Sequence, residues 1–119
     1  MNNFLTSAKR LVTLMVIFYY HLKGEALAYN CMGVAYQKLG QKNPDHYRFA
    51  LDNHMKHSQI GDIAGKFIAS VNIGMVYSAL GEIEKAGSFH QTALKYAIQM
   101  SSVAGQTIAV GNIGSIGVS

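Results

Sequence analysis

Five histidines, one cysteine and six carboxylates are the side chains here with the means for acid–base, metal or nucleophilic chemistry. His54 and His57 are three apart, so on a helix they share a face. With His46, Asp45 and Asp52 nearby they come closest to a ligand set. No HExxH or cysteine-rich pattern accompanies them, and two polar residues on a solvated helix face is the expected reading. No metal site is expected. Cys31 lies among apolar neighbours and is expected to be a buried, inert thiol; alone, it forms no internal disulfide. The six acids are too scattered for a paired-carboxylate or Ser-His-Asp arrangement. Gly111-x-x-Gly114-x-x-Gly117 lacks the GxGxxG spacing, the preceding strand and the Lys-Ser/Thr of a nucleotide loop. The expectation is a chain without catalysis and without a cofactor.

Half of the 119 residues are hydrophobic and 13% are charged, too apolar for a disordered tail. The net charge is +4, but Lys9, Arg10 and Lys23 precede the first carboxylate, Glu25. The remainder is close to neutral, so no spread-out basic footprint for nucleic acid is present. Behind Lys9-Arg10 runs the apolar stretch Leu11–Tyr20. It is shorter than the roughly 20 residues of a membrane span, and no small-x-small cleavage site comes after it. The preferred reading of residues 1–23 is an apolar helix that packs on the rest of the chain; the alternatives are an uncleaved targeting segment and an atypical start to the chain.

Three segments of the chain repeat. Residues 24–40 match 65–81 at an offset of 41, and a third copy begins at Gly105, offset 40 from the second. Gly33, Gly74 and Gly114 fall in register, as do Ala28, Ala69 and Ala109. Ile68, Ile73, Val76, Tyr77 and Leu80 recur at helical spacing. Gly40 and Gly81 sit where a helix should stop. Asn43-Pro44-Asp45 carries start signals for the next helix, and Glu82 and Glu84 repeat the acidic part of that signal. The second helix of that unit carries Ile83, Ala86, Phe89, Ala93, Leu94, Ala97 and Ile98 on one broad face. The unit is helix, glycine turn, helix. Mid-helix glycine costs about 1 kcal/mol relative to alanine, so its recurrence implies a neighbour too close for a side chain. Tyr36 and Tyr77 would fill the adjacent gap.

Met32-Gly33-Val34-Ala35-Tyr36 with Leu39-Gly40, and Ile73-Gly74-Met75-Val76-Tyr77 with Leu80-Gly81, resemble the tetratricopeptide repeat. Ala86 and Ala93 match the alanines of its second helix. The period exceeds the usual ~34 residues and resembles the longer repeats of the Pins/LGN group of adaptors. The resemblance implies an all-α helical-hairpin solenoid of about two and a half units: residues 24–62, 63–102 and an incomplete 103–119. No tryptophan is present; Tyr29, Ser70 and Val110 stand near its place, and the junction proline is missing. In the first unit two registers compete for the second helix. One matches Ala50 to Ala86 and His54 to His90, and is preferred; the other aligns Phe49 with Phe89.

The resemblance also implies a protein-interaction module, an adaptor or scaffold, whose first helices form a concave wall for a partner's peptide or helix. Asn72 and Asn112 hold the position that grips a peptide backbone, since an amide both donates and accepts. The first copy has Cys31 there, with Asn30 beside it. Leu27, Val34, Gln37, Lys38, Ile68, Met75 and Ser78 would share the wall. Gly33, Tyr36, Gly40, Gly74, Tyr77, Gly81, Ala86 and Gly114 are structural. The implied place is the cytoplasm, on cytoskeletal or ciliary structures. The rivals are a structural segment of a larger cytoskeletal or ciliary assembly, and a variant tethered to a membrane by its apolar start, although a membrane is not the expected partner. The sequence reads as part of a longer array, with self-association expected through uncapped ends.

Overall fold

The computed structural model describes residues 2–116, with side chains from residue 7 onward. Five helices succeed one another: α1 (Asn2–Gly40), α2 (His46–Ile60), α3 (Ile63–Ala79), α4 (Ile83–Gln99) and α5 (Val103–Ser115). No strand occurs among the described residues. Each helix packs on the next in sequence, and α1 also touches α3. Gly117, the third glycine of the 111–117 pattern, lies outside the described residues.

Local chemistry sets the helix ends. Gly81 adopts φ +77°, in the left-handed region that glycine enters without penalty. Around it Glu82 N–H donates to the Tyr77 carbonyl at 2.9 Å and Gly81 N–H to that of Ser78 at 3.0 Å, closing a Schellman turn. The next turn copies those bonds, Ser102 to Ala97 and Ser101 to Ile98. There a serine, Ser101, occupies the left-handed position at φ 53°. Asp62 and Ser102 cap α3 and α5 by accepting from the backbone N–H of Gly65 and Gly105, at 2.9 and 3.0 Å. Asn43 does not cap α2 with its side chain; its Oδ1 accepts from Asp45 N–H at 3.2 Å within the turn. Gly40 ends α1 without a left-handed φ, its missing Cβ making room for the Tyr47 ring instead.

The core is thin and made largely of small residues. Ala50, Ala69, Ala86, Ala93, Ala97 and Ala109 are fully buried, and the largest fully buried side chains are Ile73, His54 and Val76. Alanine-rich seams let helix backbones approach closely, and burying a methyl group contributes about 0.8 kcal/mol. The result is an elongated body: extents are 69 × 33 × 17 Å and the radius of gyration is 18.1 Å, against about 13.5 Å for a compact domain of this length.

Much of that elongation is α1. At 1.5 Å per residue its 39 residues extend about 58 Å. The half facing α2 belongs to the body. Near Lys23, whose ammonium bridges Asp62 at 2.7 Å, the body ends. The packing expected of the apolar stretch is not found: every residue from Leu11 to Tyr20 is exposed.

Candidate interaction surface

Helices α1, α3 and α5 carry the three repeat copies. Asn72 of α3 donates its amide to Asn30 Oδ1 of α1 at 3.4 Å. That is long for an amide bond, whose usual distance is about 2.9 Å, so it is weak and readily exchanged. Between α3 and α5 lies a cleft lined by Met75, Ser78, His90, Asn112 and Ser115. The expected wall residues are thus distributed along one run of helices: Leu27, Asn30, Val34, Gln37 and Lys38 on α1, Ile68, Asn72, Met75 and Ser78 on α3, Asn112 on α5.

Leu27, Lys38, Ile68 and Met75 are exposed, and Asn30, Val34, Gln37, Asn72, Ser78 and Asn112 are half-buried. Ile108, which sequence reasoning left off the wall, is half exposed at the position matching Ile68 and Leu27. Its signal was present, because the offsets of 41 and 40 map all three residues onto one repeat position. From each, one turn further along the same face comes Cys31, Asn72 or Asn112, and two turns further Val34, Met75 or Ser115. Cys31 is exposed, not the buried thiol expected among its apolar neighbours. Those neighbours face solvent too: Leu27 is 63% and Met32 42% exposed.

The solvated face expected for His54 and His57 is not what the chain builds either. His54, His57 and His90 are buried. A Cβ on Gly33 would lie 2.5 Å from the His54 ring, and one on Gly74 would lie 2.6 Å from the His90 ring. The close neighbour that the glycines imply is therefore an imidazole from the second helix of each hairpin. Gly114 has nothing within 4 Å of its Cβ position, so the third copy keeps the glycine without the clash. Fully buried Ala50 and Ala86 stand one turn before these histidines, in agreement with the register that matches them. In that register Phe49 corresponds to Lys85, and both pack on the repeat tyrosine. Phe49 lies 5.3 Å from the Tyr36 ring and the Lys85 ammonium 5.4 Å from the Tyr77 ring. Phe89 also reaches Tyr77, at 5.7 Å.

Burial keeps these imidazoles neutral. It pushes His54 from 6.5 down to about 4, with the neighbouring His57 adding to the effect. It lowers His57, against an opposing pull from Asp62, and lowers His90. The Nδ1 atoms of His54, His57 and His90 have no hydrogen-bond partner among the described residues. His54 Nε2 meets Gln37 Oε1 at 3.1 Å. The residue matching Gln37 in the second unit is Ser78, which is too short to do the same. The cleft beside His90 opens there.

No group of three or more His, Cys, Asp or Glu side chains is placed to share a metal among the described residues. Comparison with protein-family models, curated proteins and solved structures finds no match to this chain.

Proposed function

We propose that this chain is a protein-interaction module that holds a partner's peptide or helix along the row formed by α1, α3 and α5, without chemistry of its own. The observation that carries this reading is the recurrence of Leu27, Ile68 and Ile108, an exposed aliphatic residue at the same place on three successive first helices. An aliphatic residue exposed at one position on all three first helices offers a continuous apolar line to a partner. One turn on, Asn72 and Asn112 supply amides that pair with a main-chain N–H and C=O whatever the side chains. The weak bond from Asn72 to Asn30 gives way to an incoming peptide at little cost. The likeness of the repeats to the tetratricopeptide pattern supports the same use.

The cleft beside His90 adds a polar subsite. Where Gln37 reaches the His54 imidazole in the first unit, a carboxamide or carboxylate of the partner takes the equivalent place beside His90. The test is selection from a displayed peptide library with the whole chain. Selected peptides should lose about tenfold in affinity on Asn72→Ala/Asn112→Ala, the worth of one or two hydrogen bonds. Peptides that bind the variant as tightly as the wild type would remove the asparagines from the groove. A structural segment of a larger assembly would select no peptide at all.

A further inference from the structure

The projecting part of α1 has surfaces that the peptide row does not use. Leu11, Val12, Leu14, Met15, Val16, Ile17, Phe18, Tyr19 and Tyr20 are between 47% and 70% exposed. Successive helical residues are about 100° apart, so these side chains surround the helix completely. A second helix, from another copy or another protein, covers one stripe of such a rod and leaves the rest in water. A lipid phase surrounds it. Charge points the same way. Lys9 and Arg10 precede the run, and no carboxylate occurs before Glu25, so the arm is wholly cationic. Anionic headgroups attract such a segment by about 1 kcal/mol per basic residue. At the body end the Tyr19 and Tyr20 rings pack edge to face, 5.8 Å apart, with the Lys23 ammonium over Tyr19. Tyrosine is the residue type that settles at the boundary between tails and headgroups.

We propose that residues 9–20 of α1 are a membrane-binding arm that sinks into one leaflet of an anionic bilayer. By length and composition α1 could span a membrane within Ser7–Gly40, but from Lys23 onward it packs on the body. The free run Leu11–Tyr20 measures about 15 Å along the helix axis, half of the roughly 30 Å of a bilayer's hydrocarbon core, so the arm enters without crossing. It lies within the leaflet, with Lys9 and Arg10 at one end reaching back to phosphates by their long stems. The two tyrosines hold the other end at the headgroups. The body then sits at the membrane surface with its peptide row in water.

The full chain should float with phosphatidylcholine vesicles containing about a third phosphatidylserine in a density gradient. Leu14→Lys/Phe18→Lys should reduce the floated fraction at least tenfold. The body's helical circular dichroism should stay unchanged, because neither side chain touches it. Lys9→Gln/Arg10→Gln should weaken binding to the anionic vesicles up to about thirtyfold and leave the weaker binding to pure phosphatidylcholine unaltered. A wild-type chain that stays at the bottom of the gradient would overturn the proposal. So would a Leu14→Lys/Phe18→Lys variant that floats equally well. A chain that does not float and forms dimers dispersed by Leu14→Lys/Phe18→Lys would also overturn it, showing that a second copy covers the arm. Flotation does not depend on the peptide row, and Asn72→Ala/Asn112→Ala should float like the wild type.

Discussion

The imidazole of His54 occupies the space that a side chain on Gly33 would need, and His90 stands in the same relation to Gly74. The two hairpins are locked by a glycine–histidine pair, one member on each helix. Substituting either glycine by alanine gains about 1 kcal/mol of helix propensity and drives a methyl group into a buried ring. Overpacking costs about 1–3 kcal/mol, and contact at 2.5–2.6 Å puts these sites at the upper end. Gly33→Ala and Gly74→Ala should each lose about 1–2 kcal/mol in urea denaturation. Gly114→Ala, with open space at its Cβ, should be neutral or gain up to about 1 kcal/mol.

Buried neutral histidines make stability depend on pH. In the unfolded chain an imidazole takes up its proton near pH 6.5. In the fold His54 does so near 4, and His57 and His90 below their ordinary value. Between those values the unfolded chain binds more protons, so stability falls with falling pH. It is present in full above about pH 6.5 and is lost progressively on the way down to about 4; for His54 alone the span corresponds to about 3 kcal/mol. Melting temperatures across this range should drop steeply. His54→Gln should flatten the drop, even where it lowers the starting value.

Ser101 holds a left-handed conformation that Gly81 holds in the preceding hairpin turn. A non-glycine residue there costs about 1–2 kcal/mol. Ser101→Gly should therefore raise stability by about 1 kcal/mol, while Gly81→Ala should lower it by a similar amount. Thermal melts of the two variants check both signs.

Asp62 has two roles that substitution separates. Its Oδ1 caps α3 through Gly65 N–H, and its Oδ2 meets the exposed Lys23 ammonium. Surface ion pairs contribute little and caps about 1 kcal/mol. Asp62→Asn should cost under about 0.5 kcal/mol and Asp62→Ala about 1 kcal/mol, again by urea denaturation.

The hairpins were legible in the sequence because glycine and alanine recur at 40- and 41-residue offsets. Gly81 marks the end of α3, but the polar starts at Asn43-Pro44-Asp45 and Glu82 make no side-chain cap, and the caps that form, Asp62 and Ser102, are not among the signals read from the sequence. The preferred second-helix register, with Ala50 on Ala86 and His54 on His90, agrees with the burial of all four residues. The histidines' burial was not legible. Polarity alone assigns an imidazole to water, and only the pairing of a mid-helix glycine with a histidine on the next helix reveals the cradle. Leu11–Tyr20 misled in the opposite direction. An apolar run is expected to pack, but packing needs a neighbour, and α2 ends opposite Lys23 and Ala26, where Ile60 and Asp62 line the junction. Gly40 reads as a cap by type; its packing against Tyr47 was visible only in three dimensions.

The central claim is that the row through Leu27, Ile68 and Ile108 docks a partner segment. A photoreactive benzoylphenylalanine at position 68, compared with one at exposed Lys95 on α4, tests it most directly. A library-selected peptide should cross-link through position 68 and not through position 95, and the adduct should weaken with Asn72→Ala/Asn112→Ala. Equal cross-linking from both positions, or from position 95 alone, would contradict it.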